Sequence, residues 1–251
     1  MTIRFKQEGA IGYLLIDRAD RRNAVSLAMW QTIPDLLQTA SRAPDMRLLV
    51  VRSANGSSFS AGADIHEMLA NKDDAQWLRA NQDAIFAAQY QLTRFPLPTI
   101  AWVTGDCIGG GCGLALACDI RVASPGARFA ITAAKLGLVY PFHDIKLLTD
   151  LIGPGQTKRL LYTGELIDAV EAHRIGLAEI ITDAPDAVFT TILAASRTST
   201  TAMKQLVRLA LGGQTEDDAH TKAMFAAAFD GADFAEGAAA FAGKRIPDFT
   251  D

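Results

Sequence analysis

Residues 105–113 read Gly-Asp-Cys-Ile-Gly-Gly-Gly-Cys-Gly, between the strand-like run Thr99–Val103 and a short apolar run, Leu114–Cys118. A strand that feeds a glycine cluster at a helix start leaves backbone N–H groups free where the helix dipole favours negative charge. Three adjacent glycines let a ligand come close to the backbone, with no Cβ in the way. A site of this shape can hold an oxyanion. A second source of donors is Phe59-Ser60-Ala61-Gly62-Ala63-Asp64-Ile65. Side chains able to move a proton stand downstream, in Leu136-Gly137-Leu138-Val139-Tyr140-Pro141-Phe142-His143-Asp144. Tyr140 can donate a hydrogen bond to a carboxylate or an enolate. His143 can act as acid or base near neutral pH. Asp144 can orient that histidine or serve as nucleophile or base. The same pair can equally open a helix whose apolar face is Ile145, Leu148, Leu151 and Ile152, with Asp144 favoured in its first turn.

Other ligand chemistries fail on spacing. Gly109, Gly111 and residue 114 do not make GxGxxG, because residue 114 is Leu, and no GxxxxGK[ST] occurs. Cys107, Cys112 and Cys118 form no CxxC pair and have no clustered histidine, so they read as small buried side chains in a reducing compartment rather than metal ligands.

The elements that must position these groups follow from pattern. Ile3–Gln7 and Ile11–Asp17 read as a hairpin around Glu8-Gly9-Ala10. Ser26 is the expected N-cap of a helix running to about Arg42. Arg47–Val51 is a short apolar strand, followed by a glycine-and-serine loop, 55–60. Residues 73–95 carry Leu78, Ile85, Ala88 and Leu92 at helical spacing, and Phe95-Pro96 ends them. Pro98–Val103 and Ile120–Ala123 read as buried strands. Strands alternating with helices predict βαβ units. Residues 143–251 read as mostly helical, with breaks at Gly153-Pro154-Gly155, Gly176 and Gly212-Gly213. Phe225, Phe229, Phe234 and Phe241 predict packed helices across the Ala/Gly-rich stretch 223–243.

The 251 residues suit one large domain or a domain with an appendage, and 49% hydrophobic with 21% charged residues is a globular composition. A net charge of −4 gives no reason to expect a nucleic-acid or anionic-membrane surface. The start, Met1-Thr2-Ile3-Arg4-Phe5-Lys6, shows no apolar signal-peptide region, and the longest uncharged run, Cys107–Cys118, is too short to span a bilayer. The expected location is cytoplasmic.

Four stretches together resemble the crotonase (enoyl-CoA hydratase/isomerase) superfamily: Arg21-Arg22-Asn23-Ala24, Phe59 to Met68, Gly105 to Ile120, and Ala232 to Phe249. They occur in that family's order over nearly the whole chain. The resemblance implies an α/β fold, a crotonase-like spiral of ββα units with a trailing helical region. It divides the chain into a core at 1–196 and a C-terminal helical subdomain at 197–251. It also implies a homotrimer or dimer of trimers. The implied ligand is an acyl-CoA, coenzyme A entering as part of the substrate and no separate cofactor being required. The backbone N–H groups of Ala61 and Gly110 are expected to hold the thioester oxyanion. Arg22 and Ala24 are expected near the nucleotide, with Gly62, Ala63, Asp64 and Ile65 along the adenine and pantetheine. Lys244 is expected near the phosphates. For Arg22 and Lys244 the alternative is solvated surface charge.

The departures from the family pattern matter as much. Its hydratases use two glutamates, and the corresponding positions here are Gly113 and Ala133. Neither side chain can move a proton, so two-glutamate hydration is disfavoured, as are isomerases that keep only the second glutamate. Methylmalonyl-CoA decarboxylase-like members resemble this chain at 59–62, at 64–67 and at Leu136-Gly137 followed by Tyr140, but carry a histidine where this chain has Ala63. His66 offers another imidazole, expected on the outer face of a short helix. The readings left open are decarboxylation, isomerisation or related enolate chemistry on an acyl-CoA; a CoA-thioester hydrolase using Asp144 or His143; a noncatalytic acyl-CoA-binding protein; and residual hydration.

Overall fold

The structure, a computed structural model, describes residues 2–249. The described residues divide into two compact units, one within 2–95 and 99–185 and the other within 96–98 and 186–249.

In the first unit, β1 (Thr2–Glu8) and β2 (Ile11–Asp17) form the expected antiparallel hairpin. β3 (Leu48–Ser53), β4 (Thr99–Val103), β6 (Ile120–Ala123) and β9 (Ile180–Ile181) continue from β2 in parallel, giving the sheet order β1-β2-β3-β4-β6-β9. All of β4 and Leu48–Val51 of β3 are buried. A parallel strand covered on both faces reads as a continuous apolar run, which is why these two were legible. A second sheet, order β5-β7-β8, joins β5 (Asp106–Ile108), β7 (Arg128–Ala130) and β8 (Ile167–Asp168).

Helices α1 (Leu27–Ser41), α2 (Ile65–Ala70), α3 (Ala75–Thr93), α4 (Gly110–Leu116), α5 (Phe142–Thr163) and α6 (Ala169–Arg174) complete this unit. Ser26 caps α1 by accepting from the Met29 N–H at 3.4 Å. Asp64 caps α2 from the Glu67 N–H at 3.2 Å, and Asp74 caps α3. α4 begins inside the glycine cluster, four residues before the apolar run that announced it. α5 breaks at Gly153, whose φ of 72° and ψ of 165° reset the chain for Pro154. The three cysteines are free and buried.

The second unit holds α7 (Asp186–Leu193), α8 (Arg197–Leu211), α9 (Ala219–Phe229) and α10 (Ala232–Ala242). Ser196 caps α8 and donates its hydroxyl proton to Asp233 of α10, and Lys204 donates to the Leu97 carbonyl at 2.9 Å. The stretch 223–243 is helical as expected, but its phenylalanines do not enter a core. Phe225, Phe229 and Phe234 stack edge to face at 5.2–5.3 Å on the surface, and Phe241 is 88% exposed. Helical spacing put these rings on one face without saying what covers it. Among the described residues no helix is long and apolar enough to cross a membrane.

Candidate functional site

The loop before α2 is held by a buried polar network. Arg22 and Asn23 have φ of 52° and 58°, a left-handed pair of which Asn is the more tolerant residue. Asn23 is fully buried. Its Oδ1 accepts from the Arg18 N–H at 2.8 Å, and its Nδ2 donates to Ser53 Oγ at 2.9 Å and to the Ser58 carbonyl at 2.7 Å. Ser60 Oγ donates to the Asn23 carbonyl at 2.8 Å and accepts from the Gly62 N–H at 3.1 Å. The Ser60 N–H donates to the Asp106 carbonyl at 3.0 Å, and the Ile108 N–H to the Ser60 carbonyl at 2.9 Å. Residues 60–62 are thus pinned between the 22–23 turn and β5. Asn23→Ala removes three hydrogen bonds, to the half-buried Arg18 N–H and Ser58 carbonyl and to the buried Ser53 hydroxyl, and should cost about 2–4 kcal/mol by urea denaturation, with each lost bond worth about 0.5–1.5 and a buried orphan more. A cost under about 0.5 kcal/mol, the ordinary range for a surface change, contradicts this account.

This network corrects one expected donor. The Ala61 N–H is already committed, donating to the Arg22 carbonyl at 2.9 Å. Ala63 is different. It forms a bridge with Val25 that uses only its neighbours: the Val25 N–H donates to the Gly62 carbonyl, and the Asp64 N–H donates to the Val25 carbonyl. The Ala63 N–H has no backbone acceptor among the described residues. The Gly110 N–H, at the first turn of α4, likewise has none. The two segments meet closely. A Cβ on Gly110 would lie 3.4 Å from the Ala63 nitrogen, and a Cβ on Gly62 would lie 3.2 Å from the Gly110 nitrogen and 2.7 Å from the Ile108 carbonyl oxygen. Gly62 also has φ of 94°, so glycine is required there twice over. Residues 61–63 all lie in the motif, and only the pairing of 22–25 with 61–64 and the Ser60 hydroxyl separate the two used amides, of Ala61 and Gly62, from that of Ala63.

The other expected contacts are also specified. The Arg22 guanidinium is bonded to Asp106, which Arg128 holds from its other side. The Asp64 carboxylate is buried against Arg18 at 2.7 Å and the start of α2, and these hydrogen bonds hold its pKa below the usual value despite burial. Asp64 therefore offers a ligand only backbone. Ala24 is half-buried, and its carbonyl accepts from Arg18 at 3.0 Å. Ile65 is exposed, as is His66 on the outer face of α2. Lys244 lies in the second unit, exposed, just after α10.

The groups at the head of α5 converge on α4. Tyr140 is buried, and its hydroxyl donates to the Gly109 carbonyl at 2.9 Å. Burial, then the nearby Asp144, push its pKa well up, so it stays a neutral phenol. It braces the glycine turn rather than offering a free donor, which corrects the role expected for it. Asp144 is 1% exposed. Both its carboxylate oxygens lie 3.0 Å from where a Cβ on Gly113 would stand. Burial raises its pKa to about 7, against a smaller lowering by the Gln89 carboxamide. Its Oδ1 sits 3.4 Å from His143 Nε2. His143 is half-buried, which lowers its pKa, and its ring meets Phe86 edge-on at 5.4 Å. His143 Nε2 is also hydrogen-bonded to Gln89 Oε1.

Gln89 was missed. Its only signal was a polar residue at a core position of α3, beside Ala88 and Leu92. Gly113 is likewise more than a missing acid: a Cβ there would strike Gln89 Nε2 at 2.2 Å. Ala133 opens a 3-10 turn, 133–136, and brings no titratable group.

The comparisons agree with this architecture. The family profile described as Enoyl-CoA hydratase/isomerase matches residues 6–251. The protein named "Probable enoyl-CoA hydratase echA8" of Mycobacterium tuberculosis is 31% identical over 256 residues, covering 99% of this chain and 98% of that one. The crotonyl-CoA hydratase of Syntrophomonas wolfei is 35% identical over 181 residues, covering 70% and 67%. The crystal structure of an enoyl-CoA hydratase/isomerase family protein from Hyphomonas neptunium matches with a TM-score of 0.94 at 35% identity, covering 99% of this chain and 97% of that one. With a free N–H pair at two glycine-built turns and an α/β core shared over its whole length, the chain belongs to the enoyl-CoA hydratase/isomerase family.

Proposed function

We propose that the protein acts on an acyl-CoA thioester through an enolate held by the N–H groups of Ala63 and Gly110, with the His143–Asp144 pair moving the proton. The observation that carries the reading is Asp144: one buried carboxyl, pushed to about 7, packed on α4 at Gly113 and in reach of His143. Gly113 stands one helical turn beyond Gly110, about 4.5 Å along the axis. Two fixed N–H donors suit the oxygen of a thioester as it gains charge. A group that titrates near the working pH can both take and return a proton. With one such pair and no titratable side chain at Ala133, the favoured reaction is a proton shift next to the thioester carbonyl, such as double-bond isomerisation. The pair takes a proton from carbon, the electrons rest on the oxygen, and the same pair returns the proton at another carbon. Decarboxylation would leave a tuned carboxyl idle. The implied assembly is a trimer or a dimer of trimers.

The experiment is solvent-deuterium exchange. Enoyl-, malonyl-type and aromatic CoA thioesters are incubated in D2O and followed by mass spectrometry. Wild type should place deuterium on the acyl chain. Gly110→Pro, which removes one donor at a helix position that accepts proline, should slow exchange about 100-fold. Binding with no exchange for any thioester would support a noncatalytic binder, and release of free CoA would support a hydrolase.

A further inference from the structure

We infer that Gln89 is a positioning residue for the His143–Asp144 pair: its carboxamide, seated over Gly113, fixes the His143 proton on Nε2 and sets its amide nitrogen beside the Asp144 carboxylate. This rests on the reading of that pair as the proton-moving group.

The geometry is specific. Gln89 is 1% exposed and comes from α3, whereas the pair comes from the head of α5. Its Oε1 meets His143 Nε2. A carboxamide oxygen only accepts, so the proton lies on Nε2, and Nδ1 is left as the ring's basic nitrogen. Its Nε2 occupies the space a side chain at 113 would fill, where both Asp144 oxygens also converge. Gln89 Nε2 and Asp144 Oδ1 are buried atoms that make no hydrogen bond among the described residues, to each other included, and both crowd the space above Gly113, where each is a polar group on hand for the other. An amide N–H beside a carboxylate favours its charged form, in the direction that Gln89 acts on Asp144. Glycine at 113 is then a requirement of this seat.

Few other charges compete. α4 carries no charged residue, and its one titratable side chain is Cys112. Tyr140 and the buried Cys107 thiol, both pushed well up by burial, stay neutral partners there. On α3 the charged residues Arg79 and Asp83 are exposed, and on α5 Lys146 pairs with Asp150 at the surface.

The test uses the full, ligand-free protein and needs no turnover. Carboxyl 13C shifts follow Asp144 with pH, and ring 15N shifts report the His143 tautomer. Wild type should show an Nε2–H imidazole. Gln89→Met keeps the length and removes both polar atoms. It should make the Asp144 proton about tenfold harder to remove, since it takes away the amide dipole that favours the charged carboxylate, and should release the tautomer. Gly113→Ala displaces the carboxamide and should move both signals the same way. An Nδ1–H tautomer in wild type overturns the inference, whether or not the variants fold. So does a folded Gln89→Met whose two signals match wild type. Absence of deuterium exchange sinks the proposed reaction while leaving these signals as they are, so the two failures are distinguishable.

Discussion

Asp144→Asn should lower deuterium exchange and turnover by about 10²–10⁴-fold, the usual worth of a positioned acid/base group, while making the protein more stable at pH 8. The two effects share one cause. The unperturbed carboxyl titrates at 3.8, but in the fold Asp144 titrates at about 7. Between about pH 4 and 7 the folded chain therefore keeps a proton that the unfolded chain has released. Stability falls as pH rises through that window and levels off above about 7. A shift of about three units corresponds to about 4 kcal/mol at most. Asn keeps the size and carries no charge to bury. The variant should match wild type at pH 4 and exceed it at pH 8 by about 2–4 kcal/mol, or about 5–10 °C in Tm. Wild-type exchange should rise through about pH 7 as Asp144 ionises. Calorimetry at the two pH values, with exchange on the same samples, decides the matter. A variant that is unaltered in rate and no more stable at pH 8 would place Asp144 as a simple helix-start residue.

How much of this was legible depends on the range of the interaction. The hairpin, α1 with its Ser26 cap, and the buried runs of β3 and β4 follow from local pattern, because burial on both faces or a cap writes itself into neighbouring residues. The glycine turn and the 59–65 loop were legible as donor sources for the same reason. What was not legible is long-range. Nothing near residue 61 says that its N–H is taken by the carbonyl of Arg22, thirty-nine residues earlier. Tyr140, His143 and Asp144 were visible as candidates, but their division of labour is set by Gly109, Gln89 and Gly113 on other elements. Gln89 was invisible because a single polar residue on a helix face has the same local pattern whether it faces solvent or a carboxylate. The phenylalanines of α9 and α10 mark the opposite case, where pattern gave the helices correctly and burial wrongly.

The second large effect concerns water addition. Hydration of crotonyl-CoA needs one group to activate water and another to deliver a proton to carbon. On the proposed reading this site has a single carboxyl, at Asp144, and alanine at 133. Losing one such group costs about 10²–10⁴-fold, so the loss of crotonyl-CoA absorbance should run slower by that factor than in a two-glutamate relative. Writing a glutamate back at 113 should not restore the rate. Its Cβ alone would stand 2.2 Å from Gln89 Nε2 and 3.0 Å from both Asp144 oxygens. A second carboxylate would meet the first in a buried space, and like charges so placed cannot both ionise. Gly113→Glu should therefore lose stability, by about 1–3 kcal/mol from overpacking alone, and gain no hydration. A robust wild-type hydratase rate, roughly tens per second, would show that the Asp144 pair serves both roles. A gain in hydration with Gly113→Glu would show that Gln89 and Asp144 move aside. It would also show that glycine at 113 reflects the loss of an acid rather than the seat of the carboxamide.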